Sequence, residues 1–145
     1  MTAPPSPVFG TLETALYADD LDAAKGFWSG VMGFEQIVAE PGRHIFFRIA
    51  ENPCPQVLLV FRPDATEKPL DPDAKLPVPP HGARGPSHFC LAVAPDELDL
   101  WRSHLAANGI EVEADFLWPD GARSIYFRDP AGNSIELADP RLWAR

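Results

Sequence analysis

Few residues of this chain are placed to do chemistry. It has no phosphate-cradling loop, no Gly-rich dinucleotide fingerprint and no Ser or Cys set in a nucleophile elbow. What remains is a handful of carboxylates and imidazoles inside short apolar segments. Glu13 stands in "LETALYA", His88 in "SHFCLAV" and Glu136 in "SIEL". Taken singly, each has an ordinary reading. Glu13 and Glu136 read as strand carboxylates facing water, and His88 reads as a hydrogen-bonded structural histidine. A second set is basic or hydroxylic. In "RSIYFR", alternation puts Ser124, Tyr126 and Arg128 on one strand face and Ile125 and Phe127 on the other. Arg123 precedes them, and Tyr126 taken alone reads as a wall aromatic.

The elements that must position these residues come in two matching rounds. "RHIFFR" (Arg43 to Arg48) returns eighty positions later as "RSIYFR" (Arg123 to Arg128). Around each copy the order is the same. A strand at Leu12 to Ala18 leads into a helix in "DDLDAAKGFWSGVMGF". There Leu21, Ala24, Phe27 or Trp28, and Val31 keep helical spacing, with Asp19 or Asp20 as N-cap and Gly33 at the C-terminal end. Strands follow near Glu35 to Ala39, His44 to Ile49 and Gln56 to Phe61. The second round has a strand over Ser87 to Val93 and a helix in "APDELDLWRSHLAANG" with Leu98, Trp101 and Leu105 as its stripe. Its remaining strands lie near Ile110 to Ala114, Ser124 to Arg128 and Ser134 to Leu137. "DPAGN" between the last two strands is a turn in which Asp and Asn bond their own backbone and Gly supplies positive φ. One helix and one small sheet cannot bury a face alone, so the two rounds must pack together. Duplication also puts Glu13 and His88 at equivalent strand positions, 88 − 13 = 75 residues apart.

Composition sets the outer bounds. The chain is 46% apolar and 23% charged, as expected of one globular domain spanning 1–145, with modules over about 9–62 and 86–140. Seven prolines fall between Pro63 and Pro86, so 63–85 reads as an irregular connector acting as lid or tether. His81 lies in it, where it could reach a site. A net charge of −9 argues against nucleic-acid partners and anionic membranes. The opening "MTAPPSPVFG" has no signal-peptide pattern. Two cysteines, Cys54 and Cys90, read as reduced thiols, and the expected location is cytoplasmic.

"ETALYADDLDAAKGFWSGVMGF", "HFCLAV" and "YFRDPAGNSIEL" together resemble the vicinal oxygen chelate superfamily, the group of glyoxalase I, extradiol dioxygenases and fosfomycin- and bleomycin-resistance proteins. The resemblance implies an α+β fold of two tandem βαβββ modules pairing into a half-open barrel around a metal cavity. Carried over by position, it implies Glu13, His88 and Glu136 as metal ligands, with Glu136 or Glu13 also moving protons. It leaves a leucine near Leu58 where glyoxalase I has a fourth ligand. It implies Tyr126 as a substrate contact, and because an anionic substrate would tip such a site negative, Arg123 and Arg128, with Ser124 on the same strand, are the further candidate contacts. One imidazole and two carboxylates suit Fe²⁺, Mn²⁺, Ni²⁺, Co²⁺ or Zn²⁺. The expected activity is lyase or isomerase chemistry on a small molecule chelating the metal through two neighbouring oxygens. The alternatives are an Fe²⁺ extradiol ring-cleaving dioxygenase and a metal-free drug-binding protein of the bleomycin-resistance kind. A homodimer is expected in either a module-exchanged or an unexchanged form.

Overall fold

The computed structural model describes residues 1–144. Two four-stranded mixed sheets form, one from each round. In the first, β1 (Glu13–Tyr17) runs parallel to β4 (Gln56–Phe61), followed by β3 (His44–Ala50) and β2 (Glu35–Glu40). In the second, β5 (His88–Ala92) runs parallel to β8 (Ser134–Ala138), followed by β7 (Arg123–Arg128) and β6 (Ala114–Leu117). The fold is thus the α+β arrangement expected, although within one chain the sheets do not close into a barrel. Among the described residues no helix is long and apolar enough to cross a membrane.

Alternation explains why the sheets stay open. Leu16, Ile45, Phe47, Leu58 and Val60 of the first sheet share one core with Leu91, Ile125, Phe127, Ile135 and Leu137 of the second. Each such side chain contributes roughly 1.5–3 kcal/mol by leaving water. The helices fill the space between. Helix α1 (Leu21–Lys25) is capped by Asp20, whose Oδ1 accepts from Ala23 N at 2.9 Å. It then widens into a π-helical stretch, Gly26–Val31, where Met32 N bonds Phe27 O. That widening turns Phe27 and Trp28 inward together, at 5% and 0% exposure, where helical spacing had room for only one. Their rings reach the other module, Phe27 to Phe127 at 6.2 Å and Trp28 to Phe89 at 6.1 Å. Helix α3 (Leu98–Ala107) buries Leu98 and Leu105, and its His104 Nε2 meets Val31 O at 2.8 Å.

The face of each sheet turned away from this core carries the alternate residues. On the first sheet three cross-strand rows are Glu13, Val57 and Arg48; Ala15, Leu59, Phe46 and Val38; and Tyr17, Phe61, His44 and Glu40. On the second they are His88, Ser134 and Arg128; Cys90, Glu136, Tyr126 and Ala114; and Ala92, Ala138, Ser124 and Phe116.

One strand sits elsewhere than its sequence pattern suggests. The apolar alternation of Ile110, Val112 and Ala114 predicts a strand there, yet β6 begins at Ala114. The register pairs Ala114 with Tyr126, so continuing it would set Ile110 opposite Pro130, which has no N–H and lies in a turn. Ile110 and Val112 still pack on the core, but without a ladder. The connector is also more ordered than its prolines suggest. It opens with a short helix, α2 (Pro63–Thr66), and Arg84 holds Glu67 through two bonds of 2.6 Å.

Candidate active site

The site grows from the turn between β7 and β8. Asp129 is buried and its Oδ1 accepts from Ala131 N and Asn133 N, while Asn133 Nδ2 donates to Oδ2 at 2.9 Å. Burial pushes the Asp129 carboxyl up, and the bonds from Asn133, Ala131 and Gly132 oppose that. Gly132 takes φ 87°, which only glycine adopts without strain. The turn also reaches across the sheet. Asn133 Oδ1 accepts from Ser87 N at 2.9 Å, and Ser134 N donates to Ser87 O at 2.8 Å. These bonds fix the entry of β5 and with it His88.

His88 and Glu136 then meet on the open face. His88 Nε2 lies 3.1 Å from Glu136 Oε2, with the histidine half exposed and the carboxylate buried. His88 Nδ1 lies 3.0 Å from Ser134 O. A carbonyl only accepts, so Nδ1 carries hydrogen and donates there. In the neutral ring Nε2 then offers a lone pair to a carboxylate oxygen. Two acceptors at that distance require a proton or a cation shared between them. The pair therefore fits the nitrogen and oxygen donors of a divalent metal site.

The carboxylate is held from behind. Ser124 Oγ donates to Glu136 Oε1 at 2.6 Å and accepts from Trp118 Nε1 at 2.8 Å. Since indole N–H can only donate, the serine hydrogen is left for the carboxylate. This chain, Trp118 to Ser124 to Glu136, holds the carboxylate in one orientation, as outer hydrogen bonds do for side chains in metal sites. Ser124 thus contacts Glu136 itself, in addition to any substrate role. Sequence reasoning named Cys90 only as a reduced thiol and did not name Trp118. A cross-strand register would have found Cys90, which pairs with Glu136, but Trp118 lies outside the strands and left no signal. Burial, then the Glu136 charge and hydrogen bond, push the Cys90 thiol up to about 12. Burial and the bond to Glu136 push the Tyr126 phenol up to about 12 as well, against a smaller opposing bond from Ser124. Both groups are neutral at pH 7. Tyr126 stacks on His88 at 6.0 Å and on Phe116 at 5.8 Å.

The other expected residues lie apart from this pair. Arg123 is taken up by Asp115 at 2.8 Å and Asp99 at 2.7 Å, and those bonds hold its pKa above the ordinary arginine value. Arg128 bonds Glu113 at 2.9 Å. Glu13 lies exposed at the position on the first sheet that His88 holds on the second. Among the described residues, no three His, Cys, Asp or Glu side chains of one chain come together as a metal-binding group. The missing fourth carboxylate also falls one residue from its expected place. Register sets Leu59, opposite Ala15, as the counterpart of Glu136 opposite Cys90, whereas Leu58 points into the core at 0% exposure.

A family model of the glyoxalase/bleomycin resistance protein/dioxygenase superfamily matches residues 10–137. The chain belongs to that superfamily. A solved structure of lactoylglutathione lyase from Agrobacterium tumefaciens is 42% identical, with a TM-score of 0.84, covering 99% of this chain and 100% of that one. Two more distant structures share the fold alone. The fosfomycin resistance protein FosX from Listeria monocytogenes is 21% identical, with a TM-score of 0.66 over 92% of this chain and 94% of its own. A superfamily member from Nocardioides is 21% identical, with a TM-score of 0.69 over 92% and 85%. No curated protein sequence matches the chain.

Proposed function

We propose that this superfamily member is a metal-dependent glyoxalase-like enzyme, running lyase or isomerase chemistry on a small substrate with two neighbouring oxygens. The observation that carries the reading is the His88 Nε2 to Glu136 Oε2 approach of 3.1 Å, an imidazole nitrogen beside a buried carboxylate on an open face. The similarity at 42% identity to a protein named lactoylglutathione lyase supports the same class. His88, Glu136 and Glu13 would hold the ion, and Fe²⁺, Mn²⁺, Ni²⁺, Co²⁺ or Zn²⁺ all suit that set. Bound there, a divalent ion supplies Lewis acidity to a substrate oxygen.

Glu13 cannot join the pair across a core that both sheets share, so a second copy supplies it. In the proposed homodimer the first sheet of one protomer faces the second sheet of the other, and the module-exchanged cavity closes twice. The residues then divide the work. Ser124 keeps Glu136 in one orientation. Glu13, exposed and less constrained, is the carboxylate free to accept a proton from a hydroxyl-bearing carbon beside a carbonyl and return it to the neighbouring carbon, while the hydroxyl proton passes to the former carbonyl oxygen. Such a transfer leaves the substrate with the same atoms and electrons, so no second reactant is needed. Tyr126, which shares the outward face with Glu136, would line the cavity beside the substrate.

The test is a thermal melt with and without Mn²⁺, Ni²⁺ or Zn²⁺ on wild type and on Glu136→Gln. A ligand that binds only the folded state raises the melting temperature by mass action. The wild type should shift and the variant should not. Equal shifts in both, or none in either, would remove the metalloenzyme reading and leave a metal-free binding protein.

A further inference from the structure

The outward face of the first sheet holds a cluster of flat rings that the metal chemistry leaves unused. Tyr17, His44, Phe46, Phe61 and His81 form it. His44 stacks on Phe46 with centroids 4.2 Å apart and planes at 15°. Phe61 meets Phe46 at 5.3 Å and His81 at 4.7 Å, each nearly edge-on. Tyr17 closes the row at 5.8 Å from His81. Only Phe61 is buried, and the other four rings are partly open.

Duplication shows that the fold does not demand these rings. By register, Tyr17, His44 and Phe61 correspond to Ala92, Ser124 and Ala138 on the second sheet. Small residues thus satisfy the same three places of the same module. The connector contributes the fifth ring, and it is tied down to do so. His81 Nδ1 lies 2.6 Å from Tyr17 Oη, and His81 N donates to Thr66 O at 3.0 Å. A preset platform loses little freedom when something stacks on it.

Polar groups at its rim indicate what that something carries. The Arg43 guanidinium lies 5.8 Å from the Phe61 ring centre. Its Nη1 and His44 Nδ1 are buried and, among the described residues, have no hydrogen-bond partner. Glu40 approaches Arg43 Nε and His44 Nδ1 only to 3.7 Å, outside hydrogen-bond reach. A buried donor without a partner is costly, and an oxygen acceptor from a ligand would relieve it.

We propose that this platform is a substrate subsite that takes an aromatic ring bearing an oxygen acceptor, stacked on Phe46 and His81 and bonded by Arg43. The assignment of the ring to the substrate's far end rests on the proposed metal cavity. Tyr17 lies four residues along β1 from Glu13 on the same face, about 13 Å at strand rise, so one extended molecule spans both.

Benzoate and cyclohexanecarboxylate are the probes, equal in charge and near in size, with only the first offering a π face. Binding is followed by calorimetric titration of the full-length protein as purified and after EDTA dialysis. Benzoate should bind about fivefold tighter than its saturated counterpart in both preparations, in the range of a single aromatic contact. Phe46→Leu and His81→Ala should each bring the two affinities within twofold. Phe46→Leu keeps an apolar strand residue, so a folded variant is expected even if His81→Ala loosens the connector. Equal affinities in the wild type, or preference retained in both variants, would overturn the subsite. So would preference seen only with metal, which would place the ring at His88 and Glu136. Failure of both acids to bind would overturn it as well. Since the readout is binding to metal-free protein, a failed metal assignment leaves this result unaffected.

Discussion

Ser124 offers the sharpest test of how the site is held. Its hydroxyl is fully buried, bonds Glu136 Oε1 at 2.6 Å and accepts from Trp118 Nε1 at 2.8 Å. Ser124→Ala removes one atom and both bonds. The bond to a charged carboxylate contributes roughly 1.5–3 kcal/mol. Trp118 is partly exposed, so its freed N–H recovers water and adds little. A loss of about 2–3 kcal/mol follows, which for a chain of this size lowers the melting temperature by roughly 4–12 °C. The second consequence concerns metal. A carboxylate released from its outer hydrogen bond loses orientation, and such changes weaken metal binding by about 10–100-fold. Urea unfolding reads the first effect, and metal titration of the remaining folded protein reads the second. Ser124→Thr keeps the hydroxyl and should restore most metal affinity if the larger side chain fits. Less than about 0.5 kcal/mol lost in Ser124→Ala, the range of an ordinary surface change, together with unchanged metal affinity, would refute the positioning role.

Asn133→Ala should free the entry of β5, lowering stability by about 1–2 kcal/mol for the lost side-chain bonds and weakening metal binding in the same titration, although Asn133 is no ligand. Arg123 and Arg102 hold the Asp115 carboxyl below its ordinary value, with Arg123 the larger influence. The stability this gives is complete above the unfolded carboxylate pKa of about 3.9 and is lost as pH falls through the lowered folded value. Arg123→Met should therefore melt lower at pH 7 and show a shallower further loss below pH about 4. Limited proteolysis should cut first at Lys75, which is exposed in the connector, while the Arg84–Glu67 and His81–Tyr17 contacts protect its two ends. Light scattering should give a dimer, and a monomer that still binds metal would exclude the exchanged cavity.

The sequence by itself determined the local pieces. Period-two alternation in "RHIFFR" and "RSIYFR" specified two strands of one kind, because a strand with one buried face must alternate. "DPAGN" specified its turn, since Asp, Gly and Asn meet backbone needs within five residues, and the Asp19–Asp20 pair marked a helix start, of which the structure uses Asp20. Tertiary structure decided what depends on partners far along the chain. The π-helical widening that buries both Phe27 and Trp28 answers to Phe127 and Phe89 in the other module. The start of β6 was set by where its ladder with β7 ends, which no pattern within 110–114 contains. His88 and Glu136 lie 48 residues apart, yet a parallel β5–β8 ladder brings their donor atoms to 3.1 Å. Trp118 could not be read as part of the site, because its link to Glu136 runs through Ser124 across a folded sheet. Nor could the separation of Glu13 from that pair, because alternation fixes which residues share a face but not which way the face is turned. That was settled when both sheets gave one side to a shared core, which turned their other two faces outward and apart.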